Sequence, residues 1–253
     1  MFLLYKWKKT SYDKVNIRQH GGCKEFMKQK KAVLLTALAV LLVYGCQRSN
    51  AGIGGFAPET NSIYITKDGE IASGMVETFD KGKSEHYQQE SLENFVFEEV
   101  ALFNESLGAQ KASQNEEGKE PLPVAVRSCK LRENQVTAVY QYRDSQSLLA
   151  FGQSYFGMNS RLKNFEVCSV EDARLKGWLT AAEFVKPLKD GEVKPPETQE
   201  LERLGKGQMV LVESDYPVEI QVEGRIRYMT KGIETVDKHT VQVPAGVHYL
   251  IFW

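Results

Sequence analysis

The sequence predicts an α+β fold: an N-terminal hairpin, helix and sheet unit followed by a small antiparallel all-β C-terminal part. Three observations predict it. Residues 62–78 hold two apolar, alternating runs around the turn signal Lys67-Asp68-Gly69-Glu70, and Asp-Gly favours the positive backbone angles of a tight hairpin. Residues 91–108 place Leu92, Phe95, Val96, Val100 and Phe103 at helical spacing. From Met209 onward, short apolar runs follow a period of two, most cleanly where Val218, Ile220 and Val222 interleave with Glu219, Gln221 and Glu223.

In chain order, the first informative stretch is 27–46. Lys28, Lys30 and Lys31 lead into Ala32–Tyr44, uncharged and apolar except for Thr36. That run falls short of the ~20 residues a spanning helix needs. A basic lead, a short apolar run and a small residue at its end are the marks of a secretory signal segment. Val43-Tyr44-Gly45-Cys46 resembles the lipobox of bacterial prolipoproteins, with Tyr44 departing from the usual small or aliphatic residue. The resemblance implies that Cys46 takes a diacylglyceryl group and becomes the first residue after cleavage. Met27 stands directly before the basic lead, so residues 1–26 read as an untranslated or non-native extension, and 27–45 as the signal peptide.

The whole chain carries a formal net charge of −1. Residues 1–45 hold nine Lys/Arg against two Asp/Glu, so residues 46–253 carry 23 and 31, about −8. An acidic body argues against non-specific nucleic-acid binding, which needs Lys and Arg to neutralise phosphates. It argues equally against docking on anionic lipid beyond the anchor itself.

Residues 46–61, rich in Gly, Asn, Ser and Pro, read as a flexible tether. Its Gly52-Ile53-Gly54-Gly55 follows no strand and opens no helix, so it does not read as a dinucleotide fingerprint. After the hairpin, the helix has a plausible start at Ser91 with Asn94 and a stop at Gly108. Residues 109–121 form a polar loop, and 122–144 read as two strands around Arg132-Glu133-Asn134-Gln135. Residues 145–165 read as a short helix and an aromatic loop, and Ser169–Lys176 as a capped helix. This gives an α+β domain over 62–192. A linker or excursion follows at 193–207, marked by Pro195-Pro196. Residues 208–253 form a small β domain or subdomain.

Candidate chemistry is sparse. Ser154 lies in Gly-Gln-Ser-Tyr-Phe-Gly, a near miss for the nucleophile elbow with its second glycine one place late. His86, His239 and His248 share no metal-ligand spacing, and His20 falls in the extension. Glu98-Glu99 read as a solvated helix face. Cys129 and Cys168 either pair outside the cytoplasm or stay as two buried thiols. The aromatics Tyr140, Tyr142, Phe151, Tyr155 and Phe156, and Tyr216, Tyr228, Tyr249, Phe252 and Trp253, read as β core before they read as a stacking surface. No phosphate loop or cofactor fingerprint occurs, so no cofactor is expected.

The layout of lipobox, glycine-rich tether, hairpin and acidic helix is similar to uncharacterised bacterial lipoproteins, which implies an architecture and no mechanism. The expectation is an extracytoplasmic protein held to a membrane by lipid on Cys46, acting as a non-enzymatic binding or envelope-interaction protein. Its partner would be an envelope protein, a glycan or a peptide. Two alternatives stand beside it: a hydrolase of envelope or extracellular polymers, and an assembly factor of a membrane complex.

Overall fold

The computed structural model describes residues 53–79, 88–155, 161–188, 191–197 and 199–253. The lipobox, Cys46, the segment 1–26, His20 and His86 lie outside them. The described residues form a mixed α and β fold with two sheets, mostly strands, and three α-helices.

The first strand β1 (Ser62–Ile65) turns at Lys67–Gly69 into β2 (Ile71–Thr78), paired antiparallel from Ile65↔Ile71 to Ser62↔Gly74. Gly69 has φ +84°, as the turn requires, and the Thr66 hydroxyl accepts from the Glu70 amide at 2.9 Å. Helix α1 (Gln89–Ser106) buries Leu92, Phe95, Val96, Val100 and Phe103. It ends in a Schellman motif: Gly108, at φ +78°, donates to Glu105 O, and Ala109 donates to Asn104 O. β3 (Val124–Arg132) and β4 (Gln135–Tyr142) follow, then α2 (Ser145–Tyr155), β5 (Leu162–Ser169) and α3 (Val170–Leu175). β6 (Phe184–Pro187), β7 (Val193–Lys194), β8 (Gln208–Ser214), β9 (Val218–Val222), β10 (Ile226–Thr230), β11 (Glu234–Thr235), β12 (Thr240–Val243) and β13 (Gly246–Phe252) complete the chain.

One sheet runs β11-β12-β9-β1-β2-β4-β3 and the other β5-β8-β13-β10-β6-β7. We call them the first and second sheets. Their inner faces share one core: Ile63 and Ile65 of β1, Ile220 of β9, Val212 of β8, Leu250 and Phe252 of β13 are all 2% exposed or less or fully buried. The α1 stripe joins the same core over β3 and β4. Tyr140, Tyr142 and Phe151 are core residues as expected, with Phe151 meeting Tyr140 at 5.2 Å and Phe103 edge-on at 5.1 Å.

Two differences from the sequence expectation have physical causes. Helix α1 begins at Gln89, before the expected Ser91 start, because the Gln89 side-chain amide pairs with β3. It accepts from the Leu131 amide at 2.5 Å and donates to Cys129 O at 2.8 Å. Asn104, fully buried at the other end of α1, does the same: it accepts from Val124 N at 3.1 Å and donates to Val124 O at 2.8 Å and Ala112 O at 2.7 Å. Two side-chain amides thus substitute for a neighbouring strand along the sheet edge, where unpaired backbone invites aggregation.

The second difference concerns the tether. Residues 53–61 are docked rather than free. Ile53 and Phe56 are buried with Ala72, Val139 and Tyr64 on the outer face of the first sheet, and Phe56 stacks on Tyr64 at 4.8 Å and 11°. Pro58 crosses Gly74 so closely that a Cβ on Gly74 would lie 2.3 Å from its ring. Asn61 then accepts from Val76 N at 2.7 Å. Residues 193–207 lie between strands that share sheets. Both sheets take strands from each side of them: β1 pairs parallel with β9, and β5 antiparallel with β8. The segment 208–253 is therefore hydrogen-bonded into sheets it shares with 62–192.

Candidate functional site

The outer face of the second sheet carries a second buried cluster with a cavity beside it. Met209 and Leu211 of β8, Tyr228 of β10, Tyr249 and Ile251 of β13 and Phe184 of β6 form the cluster. Tyr249 meets Trp178 at 5.8 Å and Phe184 at 6.2 Å, and Tyr228 meets Trp253 at 6.2 Å. Aromatic pairs at these separations prefer tilted geometry, as these do.

Two pieces of chain cover this floor. The first is α3. Ser169 caps it by accepting from the Asp172 amide at 3.0 Å while donating to the Asp172 carboxylate at 2.7 Å. Val170 and Ala173 are buried against the floor, and the turn at Gly177 leads into a 3₁₀ helix, Trp178–Thr180, that buries Leu179. The second is the segment after β7. Among its described residues none joins a ladder; Gly207 O accepts from Val170 N at 3.0 Å, and side chains fasten the rest. Arg174 donates through Nη2 to the carbonyls of Leu204 and Glu202. Glu200 accepts from the Tyr228 hydroxyl at 2.6 Å and from the Glu197 amide at 3.0 Å, and pairs with Lys186 of β6. Leu201 and Leu204 pack on the cluster. Gln199 sits at φ +67°, a conformation uncommon outside glycine and often stored at functional sites.

Electrostatics follow the geometry. Lys186 beside Glu200, helped by the Tyr228 hydroxyl and the Glu197 amide, holds the Glu200 carboxyl down at about 2. Burial, and then the Glu200 carboxylate as acceptor, push the Tyr228 hydroxyl well above the usual phenol range. Between α3 and the segment 196–202 lies an open cavity of about 360 Å³, walled by Arg174, Leu179, Thr180, Pro196, Glu197 and Leu201. A larger polar recess of about 500 Å³ lies where the α1 C-terminus meets the 119–123 loop, beside Arg143.

The residues singled out from sequence do not converge here. Ser154 is exposed near the end of α2, with no turn before it that would present a nucleophile. His239 contacts Gly224 O at 2.5 Å through Nδ1, while His248 opens along β13 with Nε2 3.4 Å from Ala245 O. Glu98 is exposed and Glu99 half-buried on α1. Cys129 and Cys168 are both free. Burial, with Glu93 near the first and Asp172 near the second, pushes Cys129 up to about 12 and Cys168 to about 11. Both shifts run opposite to the lowered value of a reactive thiolate. Among the described residues no three His, Cys, Asp or Glu side chains gather as metal ligands, and no helix is long and apolar enough to cross a membrane.

Arg174, Lys186 and Glu200 were missed by sequence reasoning, and Tyr228 was read only as one of the core aromatics. Only Pro195-Pro196 signalled that this stretch leaves the sheet. Comparison of the chain with protein-family models found no match, and comparisons with curated proteins and with solved structures found none.

Proposed function

We propose that the chain is a lipid-anchored, extracytoplasmic protein whose body binds a ligand or envelope partner without chemical turnover. The anchor reading rests on the short apolar run ending in Val43-Tyr44-Gly45-Cys46, with Cys46 as the acylated residue. Two or more acyl chains hold a protein stably on a membrane where one does not. In this reading the chain order of hairpin, helix and sheet, then the strands from 208 onward, builds the platform that presents the site.

The observation that carries the binding reading is the cavity between α3 and the segment 196–202, a segment fastened to the sheet mainly by the side chains of Arg174, Glu200 and Tyr228. A cavity of this size with apolar walls and a few convergent polar groups is the usual form of a small-ligand site. Arg174, Glu197 and the Thr180 hydroxyl would orient a glycan or peptide fragment, and Leu179 and Leu201 would supply apolar contact.

Hydrolysis is the second reading, favoured by two acids, Glu197 and Glu202, on one cavity wall. Both residues stand exposed, whereas a general acid gains its role from burial or a like charge beside it. Thermal unfolding of the purified chain against cell-wall glycan fragments, short peptides, nucleotides and divalent metals tests the binding reading. A ligand at 100 times its dissociation constant stabilises by about 2.7 kcal/mol. A shift abolished by Leu201→Arg supports binding at this cavity. A ligand consumed during the assay transfers the protein to the hydrolase reading, and silence throughout rejects this cavity as a site for these classes.

A further inference from the structure

We infer that the outer face of the first sheet is the membrane-facing surface, lying against the phospholipid headgroups with the cavity beside Arg174 and Leu201 turned away. This rests on the anchor at Cys46 proposed above. Ile53 and Phe56 are buried against Ala72, Val139 and Tyr64, and Pro58 fills the space over Gly74. Ile53 and Phe56 therefore sit over β2 and β4, near the Ile71 end of that face. Seven residue steps separate Ile53 from Cys46. Whatever their conformation, they span at most ~25 Å.

That reach keeps the lipid near the strap. β2 lies two strands from the β3 edge and four from the β11 edge. Ala72 is the second residue of β2, so the shortest way round the sheet passes the Ile71 end of the strands, and any path to the far face still adds at least the ~10 Å between packed sheets. The strap side is therefore the nearest surface at which the acyl chains can enter a bilayer. The cavity beside Arg174 and Leu201 sits on the opposite outer face, since the shared core lies between the two sheets.

Charge along the same face agrees. The register places Lys130 beside Thr137 and Val76, and Arg132 beside Gln135 and Thr78, all on the strap side. Arg127, Lys130 and Arg132 are exposed at this β3 end. Glu219 and Glu234 share the row of Ser62 and Gln242 at the other end. The basic end meets anionic headgroups while the acidic end tilts up. The overall acidity of the body conceals this local arrangement.

The test uses the full chain purified from bacterial membranes, with acylation read by mass spectrometry. It is returned to vesicles of phosphatidylethanolamine and phosphatidylglycerol containing a headgroup-nitroxide lipid. Lys130→Cys and Glu202→Cys each carry a fluorophore; both positions are exposed, so neither change burdens the fold. The expected result is several-fold stronger quenching at 130 than at 202. Adding Gly74→Leu, which displaces Pro58 and frees the strap, should erase the difference. Equal quenching in the acylated chain, or stronger quenching at 202, overturns the orientation alone. A membrane-purified chain with no acyl group on Cys46 overturns the anchor and the orientation together.

Discussion

Replacing Gly74 by alanine puts the strap to its sharpest test, because the expected sign reverses the usual one. Gly→Ala in a strand ordinarily stabilises by roughly 0.5–1 kcal/mol, since glycine loses the most freedom on folding. Here the new Cβ would stand 2.3 Å from both Cβ and Cγ of Pro58 and 3.1 Å from Cζ of Phe56. Carbon atoms in contact sit at about 3.5–4.0 Å, so Pro58 must retreat by more than ~1 Å. A shifted strap costs about 1–3 kcal/mol as overpacking. A strap that lifts altogether exposes Ile53 and Phe56, at ~1.5–3 kcal/mol each, which sets a ceiling of roughly 3–6 kcal/mol. Net of the glycine gain, Gly74→Ala should destabilise by about 1–2 kcal/mol, or about 2–8 °C in Tm for a chain of this size. Urea unfolding of the wild type, Gly74→Ala, Pro58→Gly and the double variant measures it. With the proline ring gone, alanine at 74 should become neutral or stabilising, a coupling of at least ~1 kcal/mol. An alanine variant more stable than wild type, or strictly additive single changes, refutes the docked strap.

Three further outcomes follow from the same structure. Asn104→Ala strips partners from Val124 N, Val124 O and Ala112 O at a fully buried position. At ~1–3 kcal/mol per stranded group it should cost more than ~3 kcal/mol in urea unfolding. Glu200 has its carboxyl lowered from 4.5 to about 2 by Lys186, Tyr228 and the Glu197 amide. A folded value below the unfolded one means the contribution is present above pH ~4.5 and lost as pH falls towards 2. Glu200→Gln should flatten stability against pH across that window in unfolding scans from pH 6 to 2. Cys129 and Cys168, pushed to about 12 and 11 by burial, should react with a disulfide reagent at pH 7.5 far more slowly than a free thiol. The rate should match only after unfolding in urea.

What was legible in the sequence was what local chemistry decides. The hairpin at 62–78 was readable because Asp68-Gly69 and the alternation around it lie within a few residues of each other. The Gly108 stop and the Ser169 cap were readable for the same reason. The pairing of β1 with β9 was not, since Ser62 meets Glu219 more than 150 residues away. The start of α1 was misplaced because Gln89 answers to Cys129 and Leu131 on an edge strand, not to a cap of its own. The tether misled by composition: its glycines suggested solvation, yet Ile53 and Phe56, two large apolar residues among small ones, were the signal for docking. At the cavity, the excursion was legible from Pro195-Pro196. The Glu200, Lys186 and Tyr228 contact was not, because it joins three elements by polar groups that leave no periodic trace.

The strap and the 195–207 segment solve one problem in two ways, and the contrast bears on function. Each sheet is apolar on both faces where it is covered: Ala72 and Val139 outside the first, Met209 and Ile251 outside the second, all 5% exposed or less. Left bare, such faces would associate. The strap covers the first face with inserted side chains, a stacked ring pair and a proline seated over a glycine, so moving it opens a gap in close packing. The cover on the second face is held by Arg174 to two carbonyls and by Glu200 to Lys186 and Tyr228, with partly exposed Leu201 and Leu204 beneath. Few buried apolar contacts and solvent-reached hydrogen bonds mark the low end of local stability. A ligand that replaced those polar contacts could therefore enter beneath 196–202 without disturbing the shared core between the sheets. The same entry from the strap side would have to break Phe56 from Tyr64. The cheaper route lies on the face with the cavity, and that asymmetry supports the proposal of a ligand site opposite the strap.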